Sequence, residues 1–373
     1  MKNIKFYSLI CFFILFVFSP NISAQEELEN HVFVEANKAQ KFQAAIKKVK
    51  KSVVLLSMNP NDNPETNPNS SGLCSGVVID DIGHVLTNFH CVYKQNYIKL
   101  YYYAEDDWAD YDVNVIGLDP LADLAVLQVL GKEEPIPYLK FAENSDNITL
   151  GTDVFALGHP MGMAWSLTKG IISSNERYAR HPFIKALQTD SAINKGNSGG
   201  PLLNMKGEIV GINALIVSRI SENAGIGLAI RGDIVKKSVS SMLSTGRVDR
   251  PAIGIMIMEL VNENTRKKIS KEFPKLKENY IPNTYGIFVR SDKNPKGIKK
   301  FDTIIAINDV MTNGQVQFSD EISKYDVEEI ITLTVIRKRR YLKVDIPLKV
   351  FPVDADAMYS AIRRPTLPIV PEK

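Results

Sequence analysis

Gly196-Asn197-Ser198-Gly199-Gly200-Pro201 places one serine among glycines. A free serine hydroxyl is a poor nucleophile and needs a neighbouring base. Attack on a carbonyl also needs backbone N–H donors aimed at the oxyanion that forms. Glycines give such a loop the dihedrals that turn those N–H groups toward one point. Gly-Ser-Gly occurs in many loops, so the meaning of this one rests on a histidine and an aspartate elsewhere in the chain.

Five histidines are available: His31, His84, His90, His159 and His181. His90 lies in Leu86-Thr87-Asn88-Phe89-His90-Cys91-Val92, at the end of a strand-like run. Asp123 opens the apolar run Leu124-Ala125-Val126-Leu127. A carboxylate there faces burial, which is costly without a partner. A histidine ring N–H removes that cost and is itself fixed in one tautomer by the bond. The chain order is His90, Asp123, Ser198, the order of the chymotrypsin-like β-barrels and not of subtilisins or α/β-hydrolases.

The surrounding sequence agrees. From Ser52 to about Ile230, short Val/Ile/Leu-rich runs alternate with Gly, Asn, Asp and Pro. Val53–Ser57, Leu124–Val129, Asp153–Leu157 and Ile209–Ile212 are examples, and such spacing signals a β-sandwich or barrel. Asp233–Leu243 reads as a helix stopped by Gly246, and Arg247–Pro251 as a connector. A second domain follows, with strands at Ala252–Glu259, Gly286–Val289 and Thr303–Ile307, helices at Asn262–Glu272 and Ser319–Lys324, and a final hairpin. Residues 25–246 carry 20 basic and 25 acidic side chains, and residues 247–350 carry 20 and 14, which supports a division near residue 247. Arg337-Lys338-Arg339-Arg340 sits between two strand patterns and reads as a solvated hairpin turn, so no nucleic acid partner is expected.

At the N-terminus, Lys2 and Lys5 flank an apolar run from Phe6 to Phe18, and Ile22-Ser23-Ala24 ends it, the pattern of a secretory signal. The expected segments are a signal peptide over 1–24, a helical segment over 25–50, a protease-like domain over 51–246, a small domain over 250–350 and a Pro-rich tail over 351–373, extended or partly disordered. Asn59–Ser71 reads as a polar loop. The mature chain keeps only Cys74 and Cys91, which an oxidising compartment would permit to bridge. Two buried free thiols are the alternative. The histidines are scattered, so neither a metal nor another cofactor is expected.

Thr87-Asn88-Phe89-His90, Asp123-Leu124-Ala125-Val126-Leu127, Gln188-Thr189-Asp190-Ser191-Ala192-Ile193-Asn194 and the serine loop resemble the motifs of the HtrA (Deg) family, over about residues 50–350. The resemblance implies a mainly β protein: a chymotrypsin-like double six-stranded β-barrel followed by a PDZ-like α+β domain. It implies ATP-independent serine proteolysis of unfolded proteins in the cell envelope, usually by trimers or larger homo-oligomers. Chaperone-like holding and PDZ-regulated limited proteolysis are the other activities to weigh. By resemblance, Ser198 is the nucleophile, His90 the base and Asp123 its orienter, and Gly196, Asn197 and Ser198 form the oxyanion loop. Ala192, Ala214 and Ile216 resemble the walls of a small apolar specificity pocket. Ala192 stands where trypsin-like recognition of Lys or Arg needs an acid, and Asp190 reads as structural. Ala252-Ile253-Gly254-Ile255 resembles the loop that holds a peptide C-terminus in PDZ domains. Cys74 and Cys91 resemble the bridge that ties the histidine loop of digestive trypsins.

Lys195 and Phe301 depart from the family, and Asn197 departs from the trypsins. Cys74 and Cys91 are a further departure, because bacterial members of the family commonly lack both. Lys195 replaces the usual proline before the serine loop and is expected to loosen it. Asn197 cannot form the ion pair by which trypsins are activated, which implies conformational activation. Phe301 stands where the family has glycine.

Overall fold

In a computed structural model of the chain, the described residues are 39–59, 73–104, 107–159, 165–179, 181–214, 225–255, 258–274, 276, 281–291 and 293–362. Residues 1–24, read from the sequence as a signal peptide, residues 25–38 of the N-terminal segment, most of the polar loop, Ile216 and residues 363–373 lie outside them. The chain divides into residues 1–44 and 45–373. Residues 39–50 are helical (α1).

Twelve strands build two closed barrels. The first uses β1 (Val53–Ser57), β2 (Leu73–Val78), β3 (His84–Thr87), β4 (Lys99–Ala104), β5 (Asp107–Asp119) and β6 (Leu124–Val129) in the order β1-β2-β3-β6-β5-β4. The short helix α2 (Phe89–Val92) follows β3 directly. The second barrel uses β7 (Asp153–Gly158), β8 (Ser166–Tyr178), β9 (Lys185–Thr189), β10 (Pro201–Asn204), β11 (Ile209–Ala214) and β12 (Gly227–Arg231) in the order β10-β11-β12-β9-β8-β7. Val54, Leu56, Val85, Leu100 and Leu127 fill the first barrel. Val154, Ile172, Leu187, Leu202 and Val210 fill the second. Each of these side chains is fully buried, so the interiors are packed cores and not channels. This is the expected chymotrypsin-like double barrel. Strands β1 and β6 have the bounds read from their apolar runs. β9 and β10 escaped notice because Lys185–Thr189 alternates too briefly and Pro201 masks the start of a strand.

Helix α3 (Gly232–Thr245) closes the barrels and ends at Gly246, whose φ is 74°. The connector is then anchored by a buried ion pair. Arg250 donates from Nη1 and Nη2 to Asp119 at 2.8 and 2.6 Å, and Ser238 Oγ donates to the same carboxylate at 2.7 Å.

The second region pairs β13 (Pro251–Ala252) with β20 (Lys349–Val350). Its main sheet runs β14 (Met258–Val261), β15 (Gly286–Val289), β16 (Thr303–Ile307), β18 (Ile330–Arg337) and β19 (Arg340–Pro347), with β17 (Val310–Met311) paired to β16. Helix α4 (Glu263–Glu272) starts at a capping box made by Asn262 and Thr265. Helix α5 (Gln315–Ile322) begins four residues before the expected start, with Gly314 as its N-cap. This arrangement is consistent with a PDZ-like domain. The hairpin turn at Lys338 and Arg339 is where the sequence places it, but Arg337 is not solvated. Its Nε and Nη2 each lie 2.7 Å from the buried Asp302 carboxylate. Phe301 has φ 73°, the left-handed conformation that a glycine would adopt without strain. Its ring lies 5.2 Å from Phe273 and 5.9 Å from Phe288, contacts that a glycine could not make.

The tail differs from its expected extended form. Between Pro352 and Pro365 the sequence lacks proline, and helix α6 (Ala355–Ile362) forms there. It lies against α2. The Tyr359 ring is 5.4 Å from Tyr93 and 6.4 Å from Phe89, and Asp356 pairs with Lys94 at 2.5 Å.

Candidate active site

β3 delivers α2, and α2 carries His90 at the rim between the barrels. The turn before β6 carries Asp123. His90 Nδ1 lies 2.8 Å from Asp123 Oδ2 and 3.0 Å from Oδ1. The His90 backbone N–H also donates to Oδ1 at 3.0 Å. Asp123 is 2% exposed, so three contacts to one residue meet a buried charge that would otherwise lack partners. Its φ of 57° is a left-handed value that aspartate tolerates better than most residues. The Asn88 amide donates to the Asp123 carbonyl at 2.8 Å and holds that conformation.

Ser198 precedes β10 in the opposite barrel. Gly196 has φ 105° and Gly199 has φ 82°. A Cβ on Gly199 would collide with Ser75 O and Thr87 Oγ1, so only glycine lets the serine loop approach the first barrel. No hydrogen bond joins Ser198 Oγ to His90 among the described residues. His90 Nε2 instead lies 3.7 Å from Cys91 Sγ. Serine–base contacts are often long without substrate and tighten in the complex.

Ser75, on β2, is the residue that sequence reading passed over. Its Oγ donates to Gly196 O at 2.7 Å and accepts from His159 N–H at 3.0 Å. Its N–H donates to Ser198 O at 2.9 Å, and its own carbonyl accepts from Thr87 Oγ1 at 2.8 Å. The serine loop is thus fixed on both sides of Asn197. Asn197 N–H donates to Asn194 O at 3.0 Å, and its amide reaches Ala192 O at 3.4 Å. Among the described residues, no hydrogen bond holds the Lys195 carbonyl, nor does the Gly196 or Ser198 N–H donate to the protein. The only signal for Ser75 in the sequence was its place in Cys74-Ser75-Gly76, which says nothing of a loop 121 positions away.

His159, fully buried next to this loop, is held by desolvation down to a pKa of about 3 and is neutral at ordinary pH. Its ring lies 5.5 Å from Trp165 and 6.3 Å from Trp108. Asp190 Oδ1 accepts the Ile171 N–H at 2.7 Å, a structural use of that acid. Ala192 O accepts from Thr168 Oγ1 at 3.0 Å, and Ala214 is buried at the end of β11. The Sγ atoms of Cys74 and Cys91 are within covalent reach, with Cα atoms 6.2 Å apart. These sulfurs and the His90 ring together could offer ligand atoms within 4.8 Å of one another.

Ala252, Ile253, Gly254 and Ile255 line a cleft of about 390 Å³ with Phe318 and Ile322 of α5. His181 and Phe183 of the second barrel reach its edge. Their rings and that of Phe351 cluster with centroids 4.9 to 5.5 Å apart, and Lys185 pairs with Asp320 of α5 at 3.0 Å.

The double barrel and this rim site define a trypsin-like serine protease domain, and the trypsin-like peptidase domain family model matches residues 74–212. The Escherichia coli (strain K12) protein named periplasmic serine endoprotease DegP is 32% identical over 281 residues, 74% of this chain and 57% of that protein. A Chlamydia pneumoniae protein named probable periplasmic serine endoprotease DegP-like is 32% identical over 293 residues, 78% of this chain and 57% of its own length. A solved structure of the HtrA-type protease AlgW with a decapeptide shares the fold, with TM-score 0.68 and 23% identity over 84% of this chain and 99% of that one. The serine endoprotease from Yersinia pestis gives TM-score 0.63 and 26% identity over 83% of this chain and 98% of its own. The chain belongs to the HtrA (Deg) family. It spans a little over half the length of the curated relatives it matches.

Proposed function

We propose that the chain is an ATP-independent serine endopeptidase that cuts unfolded or damaged polypeptides in the periplasm. The observation that carries this reading is the buried Asp123 carboxylate on His90 Nδ1 at 2.8 Å, with Ser198 presented by a glycine-tight loop from the other barrel. Ser198 Oγ attacks the scissile carbonyl as His90 Nε2 takes its proton. The N–H groups of Gly196 and Ser198 receive the oxyanion. His90 then gives the proton to the leaving amine, and water attacks the acyl-enzyme by the reverse relay. Ala192 and Ala214 line a pocket for a small aliphatic side chain before the cut. An apolar wall separates such side chains by only about 1–3 kcal/mol per methylene, so selectivity is loose.

Cys74 and Cys91 form a bridge, which occupies both sulfurs and leaves His90 for proton transfer. Free-thiol titration of the oxidised protein should find none; two thiols would reopen the site to a metal. Ala252–Ile255 takes peptide C-termini, and homotrimers or larger assemblies enclose the substrate. The relatives named periplasmic proteases support the location, and the N-terminal apolar run supports export.

The deciding experiment is cleavage of unfolded casein by the wild type and by Ser198→Ala. Cleavage by the wild type alone is expected. Equal cleavage by both would remove Ser198 from the chemistry. Suppression of aggregation without cleavage by either would favour a holding activity.

A further inference from the structure

From a basic groove in the PDZ-like region, distinct from both the serine site and the Ala252–Ile255 cleft, we infer that the chain carries a second substrate contact, a docking site for acidic stretches of unfolded polypeptide. The inference rests on the reading of unfolded polypeptides as substrates. The groove is a concavity of about 1160 Å³ between α4, residues 281–283 and the tip of the β18–β19 hairpin. Arg266, Lys267, Lys268 and Lys271 line it from α4, and Arg339 faces them from the hairpin. Helix and hairpin lie 60 or more positions apart in sequence, so the charge convergence is made only by the fold.

The walls are built. Arg266 Nη1 donates to the Asn283 side chain and, at 3.5 Å, to Pro282 O, which ties α4 to the opposite segment. Ile336, 5% exposed, and Ile281, also 5% exposed, give an apolar floor, and Tyr341 stands on the rim at 71% exposure. Glu263 is the one acid among the described lining residues, and Lys267 neutralises it at 3.0 Å. Among the described residues, Lys271 and Arg339 make no ion pair. Cations gathered in a concave, low-dielectric wall focus a positive potential outward.

Three features select the ligand. The sign requires an anion. The volume exceeds the roughly 300–1,000 Å³ of small-molecule clefts, which favours a length of polymer. The apolar floor and exposed tyrosine suit a chain that carries side chains as well as charge. A planar membrane surface does not enter a concavity walled on two sides. Most of the cations are lysines, which act as mobile point charges without bidentate geometry, so the contact reads charge density and not a sequence.

The test is binding by the full-length Ser198→Ala protein, which reads the groove without relying on proteolysis. The probes are two fluorescent unstructured peptides, one carrying a run of glutamates and the other glutamines at the same positions. The glutamate peptide should bind about tenfold more tightly at low salt, the sum of several exposed pairs. The preference should fade once the Debye length falls to about 8 Å near physiological ionic strength. Lys271→Glu with Arg339→Glu should abolish it. Lys140→Glu with Lys206→Glu, an equal charge change on exposed barrel positions, should retain it. Equal binding of both peptides overturns the inference, as does equal loss of preference in both double variants. Binding of phosphatidylglycerol vesicles that is removed only by the groove variants, without peptide preference, would reassign the groove to a lipid surface and also overturn it. Absence of casein cleavage would overturn the protease reading and leave this measurement standing.

Discussion

Ser75 shows how much of the loop of a proposed nucleophile is set by a residue with no chemistry of its own. One hydroxyl takes the Gly196 carbonyl at 2.7 Å and the His159 N–H at 3.0 Å, and so joins the serine loop to the second barrel's rim. It also fixes the peptide directly after the proposed oxyanion donor. Direct loss of such a donor costs about 3–4 kcal/mol in the transition state. Ser75 acts one peptide removed, so Ser75→Ala should lower kcat on a short peptide by about tenfold, or about 1.4 kcal/mol, with KM nearly unchanged. Affinity for a peptide boronate should fall in parallel, while binding of an uncleaved peptide should hold. A rise in KM with kcat intact would mean that Ser75 shapes substrate binding instead. His90 and Asp123 were legible because a buried carboxylate opening an apolar strand demands a partner. Ser75 was not, because a small hydroxyl in a strand carries no such demand.

Among the elements, α6 has the least expected position. Proline content argued for an extended tail, yet the proline-free stretch after Pro352 is long enough for two turns and docks on α2. Phe89 precedes His90 on that helix and Tyr93 is its C-cap, so the tail packs on the element that holds the proposed base. Four residues make α2 too short to be stable alone, and helical stability at that length comes from packing. Truncation after Pro352 should therefore lower the thermal midpoint by several degrees, consistent with about 1–2 kcal/mol of lost aromatic contact. It should also reduce kcat. Tyr359→Phe in the full-length chain, which keeps the ring, should leave most of both in place. An unchanged midpoint in the truncated protein would show that α6 rests on α2 without supporting it. The groove at α4 belongs to the same scale. Arg337–Arg340 reads as a solvated turn in sequence, and the turn is there, but folding sets Arg339 opposite the α4 lysines and spends Arg337 on Asp302.

Over the whole molecule, the contact between the second barrel and the PDZ-like region carries a titratable group. His181 stacks on Phe183 and meets Phe351 edge-on, and burial together with the nearby Arg250 charge lowers its pKa from 6.5 to about 4. The folded state then binds fewer protons than the unfolded state between those values, so stability rises with pH across that window. Acidification from about pH 6.5 should progressively destabilise the protein, with the His181 contribution lost by about pH 4. His159, lowered to about 3, acts in the same direction. Thermal midpoints at several pH values should decline less steeply for His181→Phe than for the wild type. Identical slopes would show that the contact does not exclude the proton.

The sequence by itself determined the order His90, Asp123, Ser198 and the barrel architecture. Each follows from local demands: apolar runs that need burial, a carboxylate that needs a partner, glycines that a tight loop needs. Only the tertiary structure decided which distant groups meet. Ser75 reaches a loop 121 positions away, Asp119 takes Arg250 across 131, and α6 returns to the helix of His90. Such pairings are legible in neither residue alone, because either partner can satisfy its hydrogen bonds with water until packing removes the water and leaves one geometry.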